Sequence, residues 1–363
     1  MNVEHLLNVF TSIDANSDDI WDACASFMEH LYWHKIRLVV LGSKLEGLPD
    51  NHPSKPKCLF HLSRLFDSVG NHAERKRLLT HTLKLWREGE EGDTDLEVAQ
   101  TLMFLAHTNH RLLLHKEGIL QAKESLEIFE RLNDVLGQAQ CLQDIAQLLQ
   151  SDNQLDAAEE AASRSIDLLP KSQQFEVCQG HCILGGIFRS KGEADKAISQ
   201  YKTALGIASS FEWHGQQYVA HFSLAELFSR QGRFDDAHAH VECAKPHADN
   251  DAYHLGRAIE LQARIWCQQD RLEEAKSEVL CAVGVFEKLG AAEELERCRK
   301  FLQWIEEEMS ELIASDESDF DGELLETLPL PPSSAREPSV DSFYNHVDHS
   351  RRILPRTANS TPS

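Results

Sequence analysis

The chain has no apolar run approaching the roughly 20 residues needed to cross a bilayer, no Cys-x-x-Cys pair and no Asn-Gly dipeptide. The first absence removes a membrane-spanning reading. Met1 to Ile13 carries Glu4 and has no basic opening, so no secretory signal is expected and the chain is placed in the cytoplasm. Nine scattered cysteines, odd in number, argue against a disulfide framework and for reduced thiols that pack as small apolar residues, among them Cys182, Cys243 and Cys281. Positive charge is scarce, with 36 Lys and Arg against 59 Asp and Glu and a formal net charge of -23. Nucleic acid, which is held by a basic stripe that displaces counterions, is therefore not an expected partner, and neither is an anionic membrane. Strand signals are also missing, because no two-residue alternation is sustained and no hairpin dipeptide is present. An all-α fold is expected.

The motifs of catalysis are missing too. No Gly-x-Ser-x-Gly or His-Glu-x-x-His sequence occurs, and Gly42-Ser43-Lys44 lacks both the upstream glycine and the hydroxyl residue of a phosphate-binding loop. No catalytic residue and no cofactor is expected. The densest set of ligand-type side chains is His238, His240, Glu242, Cys243, His247 and His254. His240, Cys243 and His247 have the spacing of one helix face, but Pro246 is expected to break that helix before His247 aligns. No metal site is expected there, nor at His107 and His110.

What the sequence does contain is a repeated pattern of sizes. Its clearest copy reads Leu184-Gly185, Phe188, Gly192, Ala197, Tyr201 and Ala204. A large-small pair and an aromatic on one helix, a turn glycine, then small residues around one large residue on a second helix is the signature of the tetratricopeptide repeat. Ile145-Ala146, Leu149, Asn153, Ala158, Ala162 and Ser165 repeat it upstream, and Leu224-Ala225, Phe228, Gly232, Ala237, Val241 and Ala244 repeat it downstream. A further copy has Ala263, Trp266, Asp270, Ala275, Val279 and Ala282, with Gln262 where a large apolar residue belongs. Leu62-Ser63, Phe66, Gly70, Leu79 and Leu83 form another, while Leu105-Ala106 and Ala122 fit only if the hairpin between them is lengthened. Six helix pairs result. The copies are spaced by about 38 to 43 residues, near HEAT or armadillo periods, but their composition favours the tetratricopeptide reading. Such pairs bury their apolar faces only by stacking, so a right-handed α-solenoid is expected, which also accommodates 363 residues without one oversized core.

Four regions follow. Residues 1–50 are expected to form a helical hairpin, with one stripe at Val3, Leu6, Leu7, Phe10 and Ile13 and a second from Trp21 to Leu31. Residues 51–290 hold the repeats. Residues 291–310 read as a capping helix with Leu295, Cys298, Leu302, Ile305 and Met309 on one face. Residues 311–363, acidic and then rich in Pro and Ser, are expected to be disordered, with Phe320, Leu324, Leu325 and Leu328 as a short apolar motif among acids.

The expected binding surface is the concave groove, lined by first-helix residues not used for packing. These are Gln140, Gln143, Gln147, Gln150 and Gln179, then Arg189, Glu226, Arg230, Arg257, Glu260 and Arg264. Glutamine followed by mixed charge suits an extended peptide or a helix. The lysine and asparagine pattern of repeats that grip chaperone C-termini is missing.

The phrases Asn2-Val-Glu-His-Leu-Leu-Asn-Val-Phe-Thr-Ser-Ile13, Leu62-Ser-Arg-Leu-Phe-Asp-Ser-Val-Gly-Asn71, Ala122-Lys-Glu-Ser-Leu-Glu-Ile-Phe-Glu130 and Val285-Phe-Glu-Lys-Leu-Gly290 resemble fungal tetratricopeptide-repeat proteins. In that family the repeats often follow a NACHT or NB-ARC module of the STAND type, which this sequence does not contain. The resemblance implies either a free-standing scaffold that binds a protein or peptide, or the ligand-sensing, autoinhibitory region of a signalling NTPase. It brings no catalytic residue, and an enzyme is not expected.

Overall fold

The computed structural model describes residues 49–318, apart from 51, 53–54, 69, 90–93 and 249–251. Thirteen helices follow one another among these residues: α1 Lys55–Ser68, α2 His72–Glu88, α3 Asp95–Arg111, α4 His115–Arg131, α5 Val135–Ser151, α6 Leu155–Leu168, α7 Gln174–Ser190, α8 Ala194–Ser210, α9 His214–Arg230, α10 Phe234–His247, α11 Ala252–Cys267, α12 Leu272–Leu289 and α13 Ala292–Ser318. No strand occurs among the described residues. The fold is all-α and built from helix pairs, as the size pattern requires. The chain divides between Leu169 and Pro170 into two units, α1–α6 and α7–α13. Inside each unit every helix packs on the next, and first helices of neighbouring pairs also touch: α3 on α5, α7 on α9, and α9 on α11. The expected N-terminal hairpin lies outside the described residues up to residue 48, as does the expected tail beyond residue 318.

One register runs through all six pairs, and it is fixed at the turn. Gly70, Leu113, Asn153, Gly192, Gly232 and Asp270 all have left-handed backbone, with φ between 57° and 76°. The next amides, those of Asn71, Leu114, Gln154, Glu193, Arg233 and Arg271, donate to the carbonyls of Phe66, Asn109, Leu149, Phe188, Phe228 and Trp266. This is the Schellman closure, which satisfies the orphan carbonyls of the first helix and aims the chain into the second. Downstream of each turn, three second-helix positions face inward and are buried. They carry Arg75, Leu79 and Thr82 in α2, Gly118, Ala122 and Ser125 in α4, and Ala158, Ala162 and Ser165 in α6. In the second unit they carry Ala197, Tyr201 and Ala204, then Ala237, Val241 and Ala244, then Ala275, Val279 and Ala282.

The second pair corrects the expectation of a lengthened hairpin. Its turn has the same closure as the others, with Leu113 in the left-handed place and Gly118 in the first small slot. Three other corrections concern α10, the thiols and α13. Pro246 lies inside α10, which runs on to His247, because a proline in the last turn removes one amide near the end of the helix. Cys182 is buried, but Cys243 and Cys281 are exposed. Burial pushes the thiols of Cys267 and Cys298 up to about 12, so both stay protonated at neutral pH. The last helix continues past Ser310 to Ser318. Its Cys298 and Ile305 join Val279, Ala282 and Phe286 of α12 in one cluster, with Leu295, Leu302 and Met309 packed at the margin.

Two predictions test this register. Leucine in left-handed backbone costs about 1–2 kcal/mol, and Leu113 is 64% exposed, so it gives up little burial on truncation. Leu113→Gly should raise the urea-denaturation free energy by about 1 kcal/mol, after the entropy cost of glycine. A loss of stability would contradict the assigned turn. The second prediction concerns Gly185, where an added Cβ would meet the ring of the buried Tyr201 at 2.8–2.9 Å. Gly185→Ala should destabilise by about 1–3 kcal/mol despite alanine's better helix propensity. Adding Tyr201→Val should recover part of that loss, since touching residues are not additive. Equal losses in single and double variants would refute the contact.

Candidate functional site

The glutamine stripe belongs to the first unit. Asp134 caps α5 by accepting from the amides of Leu136 and Gly137 at 3.1 Å each, which fixes where the helix starts. Gln140, Gln143, Gln147 and Gln150 then follow at spacings that place them along one helix face. Gln143 and Gln147 are buried, at 5% and 6% exposure, whereas Gln140 and Gln150 are half-buried. At the end of this helix, His110 of α3 lies 2.9 Å from the Ser151 hydroxyl, tying neighbouring first helices together.

The charged residues belong to the second unit, and they meet one another. Arg189 of α7 is hydrogen-bonded to Glu226 of α9, with their side chains 10% and 12% exposed. The Arg257 guanidinium of α11 lies 5.7 Å from the Phe222 ring centre of α9. Glu260 of α11, with a side chain 4% exposed, accepts two bonds from Arg297 of α13 at 2.9 and 2.7 Å and one from Arg264 at 3.0 Å. Arg257 stands 3.9 Å from the same carboxylate. Contacts thus run from α7 through α9 and α11 to α13 on one face.

Burial alone would push the Glu260 carboxyl up. The Arg297 hydrogen bond, with the charges of Arg264, Arg257 and Arg297, outweighs it and holds the group below its ordinary value of 4.5. Desolvation would lower the Arg257 and Arg297 guanidiniums, but Glu260 reverses the balance and both are raised. Three guanidiniums around one carboxylate leave surplus positive charge in a chain of formal charge -23.

These placements correct the idea that all the chosen residues are spare from packing. Gln143, Gln147, Gln179, Arg257 and Glu260 are buried among helices, Gln140, Gln150, Arg189, Glu226 and Arg264 are half-buried, and Arg230 is exposed. Arg297 escaped the sequence reading because it sits on the capping helix, although it follows Arg257 by one repeat length. Two of the histidines singled out in the sequence are engaged with neighbouring side chains. His238 lies against Trp266 with ring centres 3.9 Å apart and planes tilted by 37° and contacts Gln269 at 2.8 Å, and His107 Nδ1 lies 3.1 Å from Arg75 Nη1. No group of three or more metal-ligating side chains converges among the described residues. No described helix is long and apolar enough to cross a membrane.

No protein-family model matches this chain, and no curated protein matches it in sequence. Solved structures do match. A Rap protein complexed with competence and sporulation factor aligns with a TM-score of 0.60 and 14% identity, over 85% of this chain and 92% of that one. Aspartyl phosphate phosphatase F from Bacillus subtilis aligns with a TM-score of 0.53 and 9% identity, over 84% of this chain and 87% of that one. A STAND protein with a tetratricopeptide repeat sensor, from Pyrococcus horikoshii, gives 0.53 and 14%, over 80% of this chain and 49% of that one.

Removing the charge at the centre of the cluster is the direct test of its arrangement. Glu260→Gln leaves three cations without their carboxylate and should cost about 3 kcal/mol in urea denaturation, the lower end for a broken buried pair because Arg264 and Arg297 keep some solvent. A loss under about 1 kcal/mol would show that the guanidiniums do not depend on Glu260. At these sequence identities the matched structures bear on the fold, and with the register above they identify the chain as a tetratricopeptide-type α-solenoid.

Proposed function

We propose that this chain is a non-catalytic scaffold that binds a protein or peptide partner along the first helices of its repeats. The observation that carries the reading is the run of cross-repeat polar contacts from Arg189 to Arg297, which presents a pre-ordered polar and cationic face on stacked helices. A face whose side chains are already held loses little rotamer entropy when a partner docks, so affinity does not depend on area alone. The glutamines of α5 offer a second, uncharged hydrogen-bonding face within the first unit. The neighbour captured with competence and sporulation factor supports the reading, as a protein of this fold with a bound factor.

A second reading is the sensor region of a STAND-type signalling NTPase. The STAND neighbour favours it, since this chain covers about half of that protein's length. The two readings separate on the coding sequence upstream of Met1, where an in-frame phosphate-binding loop would favour the sensor.

The binding face is tested by removing the exposed Arg230 and the half-buried Arg264, which takes one of three hydrogen bonds from Glu260 and leaves it the two from Arg297. Arg257 is unsuitable, since its side chain is 10% exposed and faces Glu260. Arg230→Ala with Arg264→Ala should lower recovery of the wild-type partners about tenfold in a quantitative pull-down, roughly 1.4 kcal/mol of binding. Glu273→Lys with Glu274→Lys on α12 should leave recovery unchanged, because exposed charges are screened. Unchanged recovery with the arginine variant, or selective loss with the glutamate variant, would move the site off the first helices.

A further inference from the structure

In the first and third pairs the seam between the two helices is apolar at one pair of equivalent places, whereas the second pair has Leu102 and Gln121 there. One pair of equivalent places on a first and a second helix holds the buried Leu59 and Leu78 in α1 and α2, and Leu142 and Ala161 in α5 and α6. In α7 and α8 these places carry His181 and Gln200, whose Nδ1 and Oε1 lie 2.7 Å apart. In α9 and α10 they carry His221 and His240, whose Nδ1 atoms lie 2.8 Å apart. Two helical turns away, His214 of α9 and His247 of α10 repeat the arrangement with Nδ1 atoms 3.1 Å apart. The rings of His221 and His247 lie parallel within 8° with centres 6.0 Å apart, and Phe228 stacks on His240 at 5.4 Å. Four imidazoles therefore form one file between two helices.

A neutral imidazole has one N–H and one acceptor nitrogen, whereas an imidazolium has two N–H groups and no acceptor. Two Nδ1 atoms at hydrogen-bond distance accommodate one proton between them. A pair with both rings protonated would point two N–H groups at each other and add like-charge repulsion. The surroundings reinforce this. Burial, then His240 and His247, push the His221 imidazole down to about 4. Burial also lowers His240, helped by Lys202 of α8 and opposed by Asp236 of α10, and burial and His214 lower His247. From α11, His254 turns its ring to Tyr218, with centres 4.6 Å apart. His181 of α7 is engaged with Gln200.

We propose that the α9–α10 hairpin is a proton-sensitive latch, closed while the histidine file is neutral and loosened when acid forces a second proton into either pair. The direction follows from linkage. Above the ordinary histidine value of 6.5, His221, His240 and His247 are neutral in both the folded and the unfolded chain and add no pH dependence. As pH falls below 6.5, the unfolded chain takes up protons that the folded His221, His240 and His247 refuse, and for His221 stability is lost from 6.5 down to about 4. α9 also carries Glu226 and Arg230 and touches α7 and α11, so loosening it disturbs the cationic face. The latch itself does not rest on the binding reading.

The test compares the full chain with His221→Leu/His240→Leu, which copies Leu59 and Leu78. Hydrogen–deuterium exchange, corrected for intrinsic rates, should show protection in α9 and α10 falling at least tenfold from pH 7.5 to pH 5.0 in the wild type, while α7 and α8 change less. The leucine variant should lose less protection over the same interval. If it does not fold, His240→Gln copies the His181–Gln200 pairing and should also flatten the response. Equal pH dependence in wild type and the folded variant, or a wild-type loss spread evenly over all helices, would overturn the proposal.

Discussion

Two helices joined by a short turn approach only as far as the side chains between them allow, and everything else in this chain follows from how that distance is set. Each first helix has a small residue next to its large one, and each second helix has a buried position two turns past the start. These positions hold Ser63 and Leu79, Ala106 and Ala122, Ala146 and Ala162, Gly185 and Tyr201, Ala225 and Val241, and Ala263 and Val279. Of these six pairs of positions, the one with the bulkiest second-helix residue is the one with glycine, and there the Tyr201 ring lies close against the Gly185 backbone. Small side chains let apolar area be buried at short helix separation, and packing at crystal-like density leaves no room for another carbon at Gly185. The left-handed turn then sets the phase of the second helix, which is why its three inward positions recur in every pair.

The same constraint explains what could be read from sequence. Glycine and asparagine announce a left-handed turn because their steric penalty is small, so Gly70, Asn153, Gly192 and Gly232 were visible. Leu113 adopts the same conformation against its preference, imposed by the Schellman bonds around it, and no local rule flags it. Arg75 occupies a slot that is small in the other five pairs. Its side chain reaches past the slot to donate to Asp67 and His107 and lies 5.5 Å from the Phe104 ring centre, which only the assembled helices reveal. Cysteine at Cys243 and Cys281 looked like core because of its residue type, while the helix phase turns both outward.

The candidate face was legible in composition and not in environment. Helical spacing placed Arg257, Glu260 and Arg264 together, but nothing local showed that Arg297 would arrive from the capping helix and take Glu260 in a bidentate pair. Partnership one repeat away is a property of stacking. It also changes what the residues are: a flexible surface charge becomes a fixed one, at a desolvation cost that its partner offsets only while the stack holds. First-helix polar groups here therefore hold the stack together, and under the proposed function recognition would draw on the same bonds.

That coupling gives the second unit two polar networks with different responses to acid. Glu260 is held below 4.5, so its stabilisation is present above that value and is lost only as pH falls through the lowered folded value. In the histidine file, His221 meets its proton demand earlier, between 6.5 and about 4. Mild acid consequently acts on α9 and α10 while the arginine cluster joining α11 to α13 stays charged. Because Arg257 of that cluster also faces Phe222 of α9, the boundary between responsive and unresponsive helices runs through the cationic face itself. A partner spanning α9 and α11 would feel acidification as a change in the spacing of its contacts rather than as a loss of their charge.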